Sequence, residues 1–183
     1  MKKRFLLFTV FVTGMSVTAV ELTASRLLAP YFGASLFVWT NIIGVVLLAL
    51  ALGYYFGGKL ADREKGAVAR RALYPIIFIT GILIALIPFF GKPIFIFAYG
   101  AIPTLDTSVF LASLLATLVL FTAPLLLLGM VSPLAARIGF TTLDSAGSVV
   151  GSLYALGTAG SIVGTFIPVL VTIPFLGSRE TFY

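Results

Sequence analysis

The sequence predicts an all-α fold: a polytopic transmembrane helical bundle with about five spans. Three observations predict it. Hydrophobic residues make up 60% of the 183 and charged residues 10%, with a mean hydropathy of +1.16. A soluble domain holds roughly 25% charged residues. Five apolar stretches reach the length of about 20 residues that a spanning helix needs. The gaps between them collect the prolines, glycines and charges.

Taken in order, the spans are predicted at about 5–28, 36–58, 72–90, 107–130 and 148–172. Lys2-Lys3-Arg4 before the first apolar run, and the small-x-small Val17-Thr18-Ala19, resemble a signal peptide. The run continues to about Leu28 and is therefore read as a span. Pro30 and Gly33 close the first gap, and a charge cluster at 59–71 fills the second. Gly91-Lys92-Pro93 opens the third. The apolar residues 94–102 after it are too short to cross and are expected to form an interfacial or re-entrant segment capped by Pro103. Asp106-Thr107-Ser108 reads as the cap of the fourth span. Pro133 through Asp144 make the fourth gap, and Asp144-Ser145 is a good N-cap for the fifth span. Pro174 and Gly177 end it. The final Arg179–Tyr183 resembles the start of another helix, so a longer parent chain is expected. One transmembrane domain covers residues 1–183, with no strand-plus-glycine-loop unit for a nucleotide.

Orientation follows from the basic residues. An N-terminus inside puts Lys2, Lys3, Arg4, Lys59, Arg63, Lys65, Arg70, Arg71 and Arg137 on the cytoplasmic side. It leaves Arg26, Lys92 and Arg179 outside. Nine against three fits the positive-inside rule. The expected location is the inner or plasma membrane. Trp39 and Tyr31 then lie at the outer interface, and Tyr54, Tyr55 and Tyr74 near the inner one. The net charge of +6 reflects these basic loops facing anionic lipid. No basic stretch is interleaved with stacking aromatics, so nucleic acid is not an expected partner. The chain has no cysteine and no histidine. That excludes disulfides, thiolate or imidazole metal sites, and Ser-His or Cys-His catalysis. No metal and no cofactor are expected.

Small residues mark the packing seams. Ala49, Gly53, Gly57 and Ala61 recur at four-residue spacing on one face of the second span. The fifth carries Gly147, Gly151 and Ala155, then Gly160 and Gly164. Each set is either an ordinary seam within the chain or a dimer or sliding interface. Pro124 and Pro168 lie inside spans, where each removes a backbone donor and favours a kink.

Glu21 is the sharpest single residue. It follows Phe5 by sixteen residues, roughly 24 Å at about 1.5 Å per residue, which places it in the outer third of the bilayer. An unpaired carboxylate there costs about 2–3 kcal/mol. Gly14, Thr18, Glu21 and Ser25 share a polar and small stripe. Asn41 and Thr40 lie at similar depth on the second span and are candidates to meet it. Glu21 is read either as a proton- or cation-binding carboxylate or in a structural role, as a partner of Arg26 or a hydrogen-bond anchor for the loop Leu27–Gly33. Direct pairing with Arg26 needs a bend, because five residues turn about 140°. Glu21, Arg26, Asn41 and Thr18 are the candidate solute-binding residues. At the cytoplasmic side, Gly57-Gly58 is expected to let the chain turn. Asp62 is expected to cap the next helix or pair with Arg137, as part of a solvated loop or of a latch.

Gly58-x-x-x-Asp62-Arg63-x-x-Gly66 resembles the loop between helices two and three of the major facilitator superfamily, with one extra residue before the last glycine. Ala19–Ser35, Leu128–Arg137 and Gly151–Gly164 are more specific. In order and in content they resemble the membrane portion of the fused transporter/spermidine-synthase-like proteins. Glu21, Arg26, Asp62, Arg63, Pro133 and Arg137 fall on positions that recur in that family. Gly157 departs from it, because the family usually has Asn before Thr158. The resemblance implies a half-transporter topology and a link to polyamines. It implies no enzyme here, since the soluble aminopropyltransferase-like domain is absent from this sequence.

The leading expectation is transport or binding of a small cationic or amine solute. Glu21 supplies the counter-charge, and a gate is formed by Gly58, Asp62, Arg63 and Arg137. Five or six helices rarely enclose an alternating-access path alone, so a homodimer is expected, with parallel subunits. The alternative is a non-transporting membrane module that anchors a spermidine-synthase-like partner.

Overall fold

Close backbone contact at small residues organises this bundle. Lipid tails are as apolar as leucine, so helices in a membrane gain little from buried area and more from near approach. The computed structural model describes residues 3–63, 67–101, 108–139 and 146–183. Five long helices account for most of them: α1 (Lys3–Phe32), α2 (Leu36–Asp62), α3 (Ala67–Gly100), α4 (Ser108–Gly139) and α5 (Ala146–Ile167). A π-helical turn (Pro168–Thr172), α6 (Ile173–Leu176) and a short 3-10 turn (Glu180–Phe182) follow. No strand occurs among the described residues. Five helical segments are long and apolar enough to cross a membrane, the fifth running from Ala146 to Leu176.

Two helix pairs form the frame. In the first, α2 lies along α4. A Cβ on Gly57 would stand 2.7 Å from the Met130 Cα and 2.8 Å from the Pro133 ring. At the other end of this pair, Asn41 Nδ2 donates to the Phe110 carbonyl at 2.8 Å and to Ser113 Oγ at 2.9 Å. Position 41 thus meets 110–113 while 57 meets 130–133, so the two helices run parallel. The expected seam Ala49, Gly53, Gly57 and Ala61 is entirely buried here.

In the second pair, α1 lies along α5. A Cβ on Gly160 would meet Phe11 and Met15, and one on Gly164 would meet Met15 and Thr18. Thr18 Oγ1 donates to the Ser161 carbonyl at 2.9 Å, and Ser161 Oγ donates back to the Gly14 carbonyl at 3.2 Å. This seam uses Gly157, Gly160 and Gly164. Gly147 and Gly151, expected on the same seam, are exposed, and a Cβ on either would meet nothing within 4 Å. The glycine stripe of the fifth span therefore divides between two faces.

Helix α3 packs on α4 and on α1. Phe5 meets Tyr74 at 6.4 Å between ring centres, and Tyr31 meets Phe95 at 5.0 Å. Thus α1, α3 and α5 run one way and α2 and α4 the other, as five successive crossings require. The outward face of α3 carries Phe78 and Phe97, each 70% exposed, as lipid contact demands.

The structure moves several expected boundaries. The break at Gly91-Lys92-Pro93 is absent: α3 continues for 34 residues, about 51 Å, through Pro75, Pro88 and Pro93. Residues 94–100 extend this helix because Phe95 and Ala98 are completely buried, with Phe95 edge-on to Phe32. Helix α1 runs through Pro30 and ends at Phe32. Gly33 follows with φ of 76° and donates its N–H to the Ala29 carbonyl, a left-handed cap that glycine adopts without strain. Ser35 then caps α2 through Val38 N–H at 3.4 Å. Gly57 and Gly58 lie inside α2 rather than in a turn, and Pro133 lies inside α4 with its ring against Gly57. The chain around Pro124 stays α-helical, whereas a π turn begins at Pro168. The caps expected at Asp106-Thr107 and Asp144-Ser145 lie outside the described residues.

Candidate functional site

The two helix pairs meet each other mainly through α1 and α4. Between them a cavity of about 490 Å³ remains. α1 contributes Val10, Thr13, Gly14 and Val17 to its wall, and α2 contributes Leu50 and Tyr54. α4 gives Leu128, Gly129, Ser132, Pro133 and Ala136, and α5 gives Val150, Leu153, Tyr154, Gly157, Thr158 and Ser161. These are the early residues of α1 and α5 and the late residues of α2 and α4. The cavity therefore sits in the half of the bundle that carries the N-terminus.

No wall residue is charged, and the polar ones are all hydroxyls. Two of these are committed to backbone. Thr13 Oγ1 donates to the Thr9 carbonyl at 2.8 Å, and Ser161 Oγ donates to that of Gly14. Tyr54, Ser132, Tyr154 and Thr158 make no hydrogen bond among the described residues. Tyr54 of α2 and Tyr154 of α5 both line this cavity.

Glu21 lies one turn beyond this cavity. It is half-buried. By helical register it is only about 40° from Val17 and about 6 Å farther along α1. Arg26 is exposed, and the same register turns it about 140° from Glu21. Among the described residues no ion pair joins the two, so the Arg26 form of the structural reading of Glu21 is not met.

The other expected site residues are dispersed. Asn41 faces α4 and is held there, 4% exposed, instead of meeting Glu21. Thr18 belongs to the α1–α5 seam through its bond to Ser161. At the N-terminal end, Gly58 has open space beside it. Asp62 is the last residue of α2 and Arg63 its C-cap, so Asp62 is not the cap of α3. Asp62, Arg63 and Arg137 are exposed, and no ion pair links Asp62 to Arg137 among the described residues.

Four hydroxyl residues of the cavity were not singled out by sequence reasoning as a site. Tyr54 reads as an interface aromatic, and Ser132, Tyr154 and Thr158 read only as parts of the stretches Leu128–Arg137 and Gly151–Gly164 that carry the family resemblance. The legible signal is the spacing Tyr154, Thr158, Ser161, which puts three hydroxyls on one stripe of a membrane helix.

A smaller cavity of about 290 Å³ lies toward the other end, between α1, the π turn and residues 181–183. Its wall is chiefly apolar, including Met15, Ala19, Val20, Ile84, Ile167 and Phe182. No group of acidic, cysteine or histidine side chains suited to a metal ion occurs among the described residues. No family model, curated protein or solved structure matches the chain.

Proposed function

We propose that this chain is a membrane half-transporter, or binder, for a small cationic amine solute, and that two copies complete the path. The observation that carries this reading is the 490 Å³ cavity between the two helix pairs, walled without any basic side chain. Its nearest acid on α1 is one turn away on the same face. An anion there finds no counter-charge. A cation finds hydroxyl oxygens, two aromatic rings and a carboxylate whose attraction is strong where water is scarce. The motif resemblance to the membrane part of spermidine-synthase-like fusion proteins supports an amine in particular.

Dimerisation is supported by the composition of the exposed face of α5. Gly147, Gly151, Ala155 and Thr165 are exposed on it, interrupted by Ile162. Small and polar residues suit a protein neighbour better than lipid. The outward face of α3, with its phenylalanines, is of the opposite kind.

Purified protein in liposomes, supplied with labelled putrescine or spermidine, tests the reading. Uptake by the wild type that is lost in Glu21→Gln supports it. Absence of uptake by the wild type, with co-purification of a soluble synthase, favours the anchoring module instead.

A further inference from the structure

The cavity wall carries more information than its charge. Tyr54, Ser132, Tyr154 and Thr158 come from three helices, and none of their hydroxyls is bonded within the described residues. In a membrane helix a serine or threonine hydroxyl normally returns to the carbonyl one turn back. Thr9, Thr13, Thr23, Thr80, Thr117 and Thr165 all do so here. Ser132 and Thr158 depart from that habit, as do Thr122 and Thr172 elsewhere in the bundle, and of these four Ser132 and Thr158 line the cavity.

We infer that the four free hydroxyls of Tyr54, Ser132, Tyr154 and Thr158 select a solute with N–H donors, a primary or secondary ammonium over a quaternary one. This rests on the amine-solute reading above and goes beyond it. A primary ammonium carries three donors that must be satisfied once it leaves water. Hydroxyl oxygens arranged from three sides accept them, and hydrogen bonds to a charged donor are the stronger kind. A quaternary ammonium offers no donor. It keeps only attraction to the tyrosine ring faces and to Glu21.

Equilibrium dialysis of the purified full chain against radiolabelled propylammonium and propyltrimethylammonium tests this. The wild type is expected to prefer propylammonium about ten-fold, a difference of about 1.4 kcal/mol. The double variant Ser132→Ala/Thr158→Val is expected to lose most of that preference while keeping its gel-filtration profile. Glu21→Gln is expected to weaken both probes and leave their ratio unchanged, because it removes charge and not hydroxyls. Equal binding of the two probes by the wild type, or tighter binding of the quaternary one, overturns the inference and leaves the amine reading standing. An unchanged ratio in the folded double variant also overturns it. Binding of neither probe by the wild type sinks both.

Discussion

Gly53 of α2 and Gly129 of α4 meet backbone to backbone. A Cβ on Gly53 would stand 2.9 Å from the Gly129 Cα, and one on Gly129 would stand 3.1 Å from the Gly53 Cα. Neither atom belongs to a flexible side chain that can move aside. The helices themselves would have to part.

Gly53→Ala is therefore expected to destabilise the fold by about 1–3 kcal/mol, the range for an overpacked core. Gly44 of the same helix has nothing within 4 Å. Gly44→Ala is expected to be neutral, or to stabilise by up to about 1 kcal/mol through helix propensity. Unfolding in mixed micelles, followed by circular dichroism, measures both. Equal effects would show that α2 and α4 are not joined at this point.

Asn41 tests the division between architecture and site. Its amide bonds both Phe110 and Ser113 across the α2–α4 seam. Ser113 keeps its own bond to the Phe110 carbonyl at 3.1 Å when the amide is removed. Asn41→Ala is accordingly expected to cost about 0.6 kcal/mol and no more than about 1.7 kcal/mol, the average and the maximum for hydrogen bonds between membrane helices. Solute uptake is expected to stay at the wild-type level. Uptake that collapses in a variant of unchanged stability would return Asn41 to the solute site.

The spans were legible because twenty-residue apolar runs have few alternative fates. Helix ends were not. Pro30, Pro93 and Pro133 look like stops, yet each sits inside a helix, because neighbouring helices in a membrane can accommodate the lost donor. The seam at Ala49, Gly53, Gly57 and Ala61 was legible from its period alone. That period gave no warning that Gly147 and Gly151 face away from Gly160 and Gly164 on α5. Four residues turn a helix about 400° and five about 500°, so the five-residue step from Ala155 to Gly160 carries the stripe about 140° round, onto another face. Glu21 stood out as a charge inside an apolar span. The four free hydroxyls did not, because a hydroxyl bonded to its own helix and one turned into a cavity are written with the same letters.

The absence of cysteine from the native sequence allows the cavity and the orientation to be tested together. Single substitutions Ser132→Cys and Thr158→Cys place a thiol on the cavity wall. Phe78→Cys and Phe97→Cys place one on the exposed apolar face of α3. A thiol reacts with a maleimide as the thiolate, which needs water. The cavity thiols are expected to react with a membrane-impermeant maleimide, and the α3 thiols to stay unmodified. The cavity lies in the N-terminal half of the bundle. Under the basic-residue bias that half faces the cytoplasm. Labelling of Ser132→Cys and Thr158→Cys is therefore expected in inside-out vesicles and not in intact cells. Ala34→Cys, in the turn between α1 and α2, is expected to show the reverse. Labelling of Ala34→Cys only from the cytoplasmic side would invert the topology. Protection of the cavity thiols from every side would show that lipid, rather than water, fills the space beside Tyr54 and Tyr154.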